Sequence, residues 1–353
     1  MKYNLLRYLR EYRGKTFREA PFSEVDALLL SQLSYLKFDG VVPGFGRQPS
    51  LGWEEIRQHP RFEHIFEDEI YGETYRKIFR LICDSRRYGK IRLNYFVSDF
   101  DAEKELQFAA VTLFLGETSI FVSYRGTDES LVGWKEDFNM SFMESIPAQR
   151  RAVAYLMKTA RYTEGRIALG GHSKGGNLAA FAAAYATGQV QGRICRIYSF
   201  DGPGFRKEFY ARPGFLAIAD RFCKIVPEES MIGMLFANHA GYRVVRSYGR
   251  GVIQHDLLRW KIWNGQFVYR KRVYRRNSRR MRMLNAWIDS LPKEQVIETV
   301  DVLYHIFSTA RISTVYELLK RPLYQFGNLA GILRGLDEHS RNLVRDLFRK
   351  ILF

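Results

Sequence analysis

Cysteine is scarce: Cys83, Cys195 and Cys223 are the only three in 353 residues. Three cannot build a full disulfide framework, and none stands in a CxxC pair, so neither a zinc site nor a dithiol redox motif is encoded. Long apolar runs are missing too. The chain carries no charge from Gly175 to Gly192, yet only Leu178 to Ala186 is continuously apolar, far too short to cross a bilayer. Met1 to Lys15 alternates Leu and Tyr with Arg, Lys and Glu and lacks the apolar core of a signal peptide. The expected location is therefore cytoplasmic, with peripheral attachment to a membrane left open. There is no low-complexity tract and no internal repeat. Acidic residues are in the minority, 38 against 55 Lys and Arg, for a formal charge of +17. That shortage is local: from Arg243 to Arg282 thirteen Lys or Arg face a single acid, Asp256. Such a block is either a solvated basic face or a contact for an anionic partner such as a phospholipid surface, nucleic acid or acidic polymer.

What is present is globular: 46% hydrophobic and 15% aromatic residues, on a chain long enough to bury a sizeable core. Ser23-Glu-Val-Asp26 reads as a capping box, followed by Val25, Leu28, Leu29, Leu33 and Leu36 at helical spacing. Gly40 to Pro49 is a loop, and a second helix is predicted over Glu69 to Cys83. Strands begin near Arg92. Leu106–Leu115 and Ser119–Tyr124 form a hairpin about Gly116-Glu117. Helices then alternate with strands: Gln149–Ala160, Arg166–Leu169, Asn177–Ala186, Arg193–Phe200, then strands Arg221–Val226 and Tyr242–Ser247. That alternation predicts a mostly parallel sheet covered on both faces. Asn264-Gly265 marks a hairpin within Trp260–Tyr269. From Ser278 the chain reads as helical to its end, with Pro292 in a first helical turn. The predicted division is 1–275 for the α/β unit and 276–353 for a helical C-terminal extension packing on it.

The chemistry concentrates in Ile167-Ala-Leu-Gly-Gly-His-Ser-Lys-Gly-Gly-Asn177, an apolar strand that turns through Gly171-His-Ser-Lys-Gly175 into an Ala-rich helix. This is the G-x-S-x-G nucleophile elbow in its required strand–turn–helix setting. Small residues two before and two after Ser173 let strand and helix approach. The hydroxyl is raised at the start of a helix whose dipole favours developing negative charge. A Walker loop is excluded, because G-K-[ST] after G-x-x-x-x is absent.

Upstream, Ile120-Phe-Val-Ser-Tyr-Arg-Gly-Thr-Asp128 ends a strand in Arg125-Gly-Thr127, with Trp134-Lys-Glu-Asp137 beyond it. In this pattern the chain resembles the class 3 lipases. The resemblance implies that Thr127, through its backbone N–H and hydroxyl, and the backbone N–H of Lys174 form an oxyanion hole. A closer likeness runs over nearly the whole chain. Pro21-Phe-Ser-Glu-Val-Asp-Ala-Leu28, Leu33-Ser-Tyr35, the elbow, Asp201-Gly-Pro-Gly-Phe205 and Gln254-His-Asp256 resemble an uncharacterised bacterial family of lipase-like hydrolases. That family is Mbeg-like, carries a domain-of-unknown-function label and is related to class 3 lipases. It implies an α/β-hydrolase fold and hydrolase activity, without a settled substrate.

In this fold the acid and the histidine follow the nucleophile in chain order. Of His239, His255, His305 and His339, His255 follows the last predicted strand by a short loop, which is where the general base is presented. His239 is the runner-up, His305 reads as a packing residue inside a helix, and His172 as a structural polar residue of the elbow. Two acids compete. The class 3 pattern places Asp in Asp-x-Val-Pro, but the matching stretch is Lys224-Ile-Val-Pro227, followed by Glu228 and Glu229. Asp201 in Tyr198-Ser-Phe-Asp-Gly-Pro203 ends the preceding strand and resembles the Leu-Asp-Pro motif of pancreatic-type lipases. Asp201 is preferred over Glu229.

The expected function is a serine hydrolase of the lipase, esterase or lysophospholipase type, acting through an acyl-enzyme on Ser173, with no metal or organic cofactor. Its expected partners are an acyl or lipid substrate and an anionic membrane surface rather than nucleic acid. The basic block interleaved with Trp260, Trp263, Phe267, Tyr269 and Tyr274 would seat it there. The alternative is a non-catalytic interaction protein that keeps the fold at anionic surfaces, motivated by the displaced acid and by Lys174 beside Ser173. Asp128–Phe142 and the helical tail are the two candidate lids.

Overall fold

The computed structural model describes residues 4–68, 71–128, 130–310 and 331–352. Its strands are β1 (Leu51–Gly52), β2 (Arg92–Asp101), β3 (Leu106–Phe114), β4 (Ser119–Tyr124), β5 (Arg166–His172), β6 (Ile194–Phe200), β7 (Phe222–Pro227), β8 (Arg243–Val245), β9 (Ile262–Trp263), β10 (Gln266–Phe267) and β11 (Tyr269–Arg270). The helices are α1 (Leu5–Tyr12), α2 (Glu24–Gln32), α3 (Trp53–Arg57), α4 (Gly72–Cys83), α5 (Leu131–Asn139), α6 (Pro147–Tyr162), α7 (Lys174–Tyr185), α8 (Gly188–Arg193), α9 (Pro213–Leu216), α10 (Arg275–Ser290), α11 (Lys293–Thr309) and α12 (Glu338–Leu352). Among the described residues, β1 to β8 and then β11 form one sheet in sequential order. Pairings from β1 to β4 are antiparallel, those from β4 to β8 are parallel, and β11 runs antiparallel to β8. This mostly parallel sheet, with helices on both faces, is the α/β-hydrolase architecture.

Strand register decides where the site lies. Tyr124 pairs with Gly171, His172 with Phe200, and Phe200 with Ile225. The carboxyl ends of β4, β5 and β6 are therefore nearly flush. The residues that follow them, Arg125–Thr127, Ser173 and Asp201, emerge together at that edge.

Sequential parallel strands joined by right-handed crossovers throw their helices onto one face. Accordingly α6 and α7 pack against each other and against β3, β5 and β6. Ala152, Ala179, Ala180 and Ala183 are buried there and allow a close fit. The opposite face is left to the N-terminal helices rather than to the crossovers. There α2 lies across β4, β5 and β6, buried all round from Val25 to Gln32. The predicted capping box starts it, with Ser23 and Asp26 bonding reciprocally. Asp26, fully buried, also accepts from Tyr8 at 2.8 Å and from Arg87 Nη2 at 2.6 Å, so its charge is paired where water cannot reach.

Asn264 and Gly265 both take positive φ, 47° and 78°, as a two-residue primed turn requires, and they join β9 to β10. Trp260 and Phe267 from this region sit in the core at 0% and 5% exposure. The expectation that they interleave with surface cations is corrected by that burial. Their apolar area is worth more against Phe200, which both rings contact, than against water.

Helix α4 matches the predicted Glu69–Cys83 from Gly72 onward, and Glu69 and Ile70 lie outside the described residues. In the C-terminal part, Met281 and Leu284 of α10 pack on Val226, Met234 and Val244. Helix α11 packs on α5, where Lys135 bridges Glu105 and Asp301, each at 2.8 Å. Pro292 precedes α11 as its cap rather than entering its first turn. The predicted helical continuation through residues 311–330 lies outside the described residues. No helix among the described residues is long and apolar enough to cross a membrane.

Candidate active site

Ser173 follows β5 with φ 56° and ψ −131° and caps α7. A side chain rarely tolerates that backbone, and surrounding contacts have to impose it. Close packing does so here. A Cβ on Gly171 would meet the Gly175 carbonyl carbon at 2.2 Å, and one on Gly175 would meet the Tyr124 carbonyl oxygen at 2.2 Å. Only glycine at both positions lets β5, α7 and β4 meet. The Ser173 backbone N–H bonds Phe200 O at 2.9 Å, locking the turn to β6. Ser173 is left 9% exposed.

His255 ends the turn Gly251–His255 after β8. Its Nδ1 lies 2.7 Å from Asp201 Oδ2. Because a carboxylate can only accept, Nδ1 is the donor in this contact, which leaves Nε2 as the nitrogen facing away from Asp201. Asp201 is fully buried and held in the left-handed region at φ 48°. Its other oxygen accepts from Ser230 Oγ at 2.5 Å, so both oxygens are engaged. The imidazole of His172, the residue before Ser173, lies against that of His255 with centroids 4.3 Å apart. His172 Nε2 reaches the His255 carbonyl at 2.9 Å, and Nδ1 meets the Tyr35 hydroxyl at 3.1 Å. Burial, and then the nearby His255, hold His172 well below the usual imidazole range. It therefore stays neutral and ties the His255 loop to the elbow. No hydrogen bond joins Ser173 Oγ to His255 among the described residues.

The loop from β4 to α5 carries Gly126 and Thr127. A Cβ on Gly126 would strike the Tyr35 hydroxyl at 2.2 Å and the His172 carbonyl at 2.5 Å, so Gly126 brings its neighbour Thr127 close to the elbow. The Thr127 hydroxyl donates to Asp137 Oδ2. That contact engages the hydroxyl proton, and the Thr127 backbone N–H is the other donor expected from the sequence. The backbone N–H of Lys174 stands in the first turn of α7, where no carbonyl precedes it in the helix.

Lys174 is wholly buried. Its Nζ donates to Glu136 Oε2 at 2.8 Å and to the Gln107 carbonyl and side-chain oxygens at 2.9 and 2.7 Å. Glu136, equally buried, also accepts from the Ala148 and Gln107 N–H groups at 2.7 and 3.2 Å. The elbow, β3, α5 and α6 are thus joined through one ion pair.

Asp137 beside it is half-buried, and its Oδ1 atom is buried without a partner among the described residues. Desolvation pushes its carboxyl up to about 6, against the pull of Lys174, the Thr127 hydroxyl and His255, while Glu136 adds to the rise. A carboxyl raised on folding stabilises most below its ordinary value of 3.8, and that contribution is lost as pH climbs through about 6. Asp137→Asn keeps an acceptor for Thr127 and removes the buried charge. It should gain about 1–3 kcal/mol of stability over the parent near pH 7.5, and the gain should fade toward about pH 4. Urea unfolding at both pH values checks this; equal destabilisation at both would mean that the fold requires the ionised form.

Glu229 is not brought to His255. Its carboxylate accepts from the Gly251 N–H at 2.6 Å, and its own N–H donates to Gln254 at 2.9 Å, so it shapes the loop that carries His255. His239 lies exposed against Tyr210, and His339 pairs with Glu298. His305 is exposed, correcting its expected packing role, because Leu303 and Ile306 take the buried positions of α11. Lys224, which stands where class 3 lipases carry their acid, is buried and bonds Asn238. Burial lowers its ammonium to about 7, with Asp201 resisting the fall. Sequence reasoning missed Tyr35, Gln107, Ser230 and the Lys174–Glu136 pairing. The last had a signal: a lysine at the buried x of G-x-S-x-G requires a nearby acid.

A family model described as Mbeg1-like matches residues 82–305. No curated protein matches the chain. Among solved structures, one described as the crystal structure of M37 lipase is similar at 14% identity and a TM-score of 0.39, over 62% of this chain and 72% of that one.

Proposed function

The chain belongs to the Mbeg1-like family, and from that premise and the geometry of its site we propose that it is a serine hydrolase cleaving a lipid-like acyl ester through an acyl-enzyme on Ser173. The observation that carries the proposal is the Asp201–His255 couple, with Nδ1 2.7 Å from the carboxylate, held against His172, the residue before Ser173. His255 Nε2 takes the Ser173 proton while Oγ attacks the acyl carbonyl. The step requires Nε2 to come within hydrogen-bond reach of Oγ when substrate binds, a closure common in empty sites. The N–H groups of Thr127 and Lys174 receive the oxyanion. His255 then protonates the departing alcohol, and a water deprotonated by the same nitrogen releases the acid. Asp201 stays ionised and stabilises the imidazolium.

A cavity of about 310 Å³, lined by Asn177 one helical turn beyond Ser173 and rimmed by Glu144, Arg206, Glu208 and Arg212, would hold the acyl group. Met140, Met143, Phe181, Phe205 and Phe209 supply its apolar lining. A fluorophosphonate probe should modify the folded protein, with the adduct mapped by peptide mass to Ser173. A folded, unlabelled protein would sink the proposal and favour a binding protein.

A further inference from the structure

The thirteen cations between Arg243 and Arg282 are not spread evenly in space. Arg243, Arg259 and Arg270 pair with Glu24, Asp256 and Glu228. Arg272, Arg275, Arg276, Arg279 and Arg282 meet no carboxylate among the described residues, and all five are exposed. They converge on one concavity of about 880 Å³ at the start of α10, which Arg280 also lines. No acidic side chain among the described residues lines it. Five unneutralised guanidiniums around one hollow repel each other, and such an arrangement is relieved by a multivalent anion. The first turn of α10 lies in the same wall and has no side-chain cap, so its N–H groups add to the positive field.

We propose that this concavity binds the headgroups of anionic phospholipids and docks the protein on an acidic membrane surface. Guanidinium forks match phosphate oxygens bidentately, and the volume admits whole headgroups rather than a single phosphate. Tyr242 and Met283, both lining the hollow, are 36% and 38% exposed and fit the boundary between headgroup and acyl chain. Nucleic acid is less well served. Single strands need stacking rings beside the cations; here Trp260 and Phe267 are buried, Tyr269 is engaged by Arg243 and Glu24, and the exposed Trp263 and Tyr274 do not line the concavity. Tyr242 is the sole aromatic among the described residues lining the concavity. The docking is independent of the chemistry assigned to Ser173.

The test is flotation with vesicles of ether-linked phosphatidylcholine, with and without ether-linked phosphatidylglycerol, so that ester cleavage cannot interfere. Wild type should float only with phosphatidylglycerol. Each cation near an anionic surface contributes roughly fivefold to partitioning. Arg275→Gln/Arg276→Gln/Arg279→Gln/Arg282→Gln should therefore lose more than about a hundredfold, and the milder Arg279→Gln/Arg282→Gln about twenty-fold. A control of equal net charge, Arg18→Gln/Lys77→Gln/Arg80→Gln/Lys90→Gln, removes exposed cations elsewhere and should lose less than about tenfold. Unfolding midpoints matched to wild type certify the variants; should the fourfold variant unfold, the double variant decides. Equal loss in variant and control, or no binding of wild type to acidic vesicles, overturns the proposal. So does soluble glycerophosphoglycerol binding as tightly as the vesicle surface, which would make the ligand a free phosphate ester. Single-stranded RNA bound more tightly than vesicles, and lost in the cavity variant, would reassign the site to nucleic acid.

Discussion

Ser173→Ala is expected to lower kcat on a p-nitrophenyl acyl ester by about 10⁶, and Asp201→Asn by about 10⁴, each with little change in KM. The first figure is what removal of a nucleophile costs when its proton acceptor has nothing else to activate. The second follows from the 2.7 Å contact between His255 Nδ1 and Asp201 Oδ2. An amide there can present its N–H to the ring, favouring the tautomer with the proton on Nε2, which cannot accept from serine. Being neutral, the amide would also stop compensating the imidazolium. Glu229→Gln is the matched control. Its carboxylate bonds the Gly251 N–H, not His255, so the rate should fall by no more than about tenfold. Equal losses in the Asp201 and Glu229 variants would mean that the acid exchanges in solution. An active Ser173→Ala would remove the acyl-enzyme altogether.

The largest effect on stability should come from the ion pair under the elbow. Glu136→Gln leaves the Lys174 ammonium buried without a counter-charge, and Lys174→Met leaves the Glu136 carboxylate so. Each should cost about 3–5 kcal/mol, because a buried charge that loses its partner keeps its desolvation penalty. Lys174→Met/Glu136→Gln should be markedly less damaging than the sum of the singles, since neither charge then remains. Denaturant unfolding of the four proteins gives the coupling. Additive losses would show the two side chains acting separately, through Gln107 and Ala148, rather than as a pair. The pair also explains why a lysine can occupy the buried position after Ser173 at all. Its tail is anchored to β3 and α5, while its backbone N–H remains in the first turn of α7.

Much of this was legible along the chain because it is local. The elbow depends on glycines two residues either side of Ser173. The capping box is a contact between Ser23 and Asp26, and the Asn264-Gly265 turn needs two positive φ angles that those residues tolerate. His255 could be ranked first among the later histidines because only a short loop separates it from the last predicted strand.

Choices between distant residues were not legible. Asp201 and Glu229 are both acids beyond Ser173, and one-dimensional order ranks them only by analogy. Register separates them: Phe200 pairs with Ile225, so Asp201 emerges at the edge where His255 arrives, while Glu229 turns back to the Gly251 N–H. The same holds for Lys174 and Glu136, 38 residues apart. It holds also for the arginines of α10, whose convergence on one hollow depends on how that helix docks against β7 and β8. By itself, then, the sequence determined the elements, their alternation and the strained turn, since these follow from spacing and backbone preference within a few residues. Partner choice among buried charges belonged to the tertiary structure. Desolvation makes each such charge seek whatever packing brings within 3 Å, and packing is a property of the whole chain.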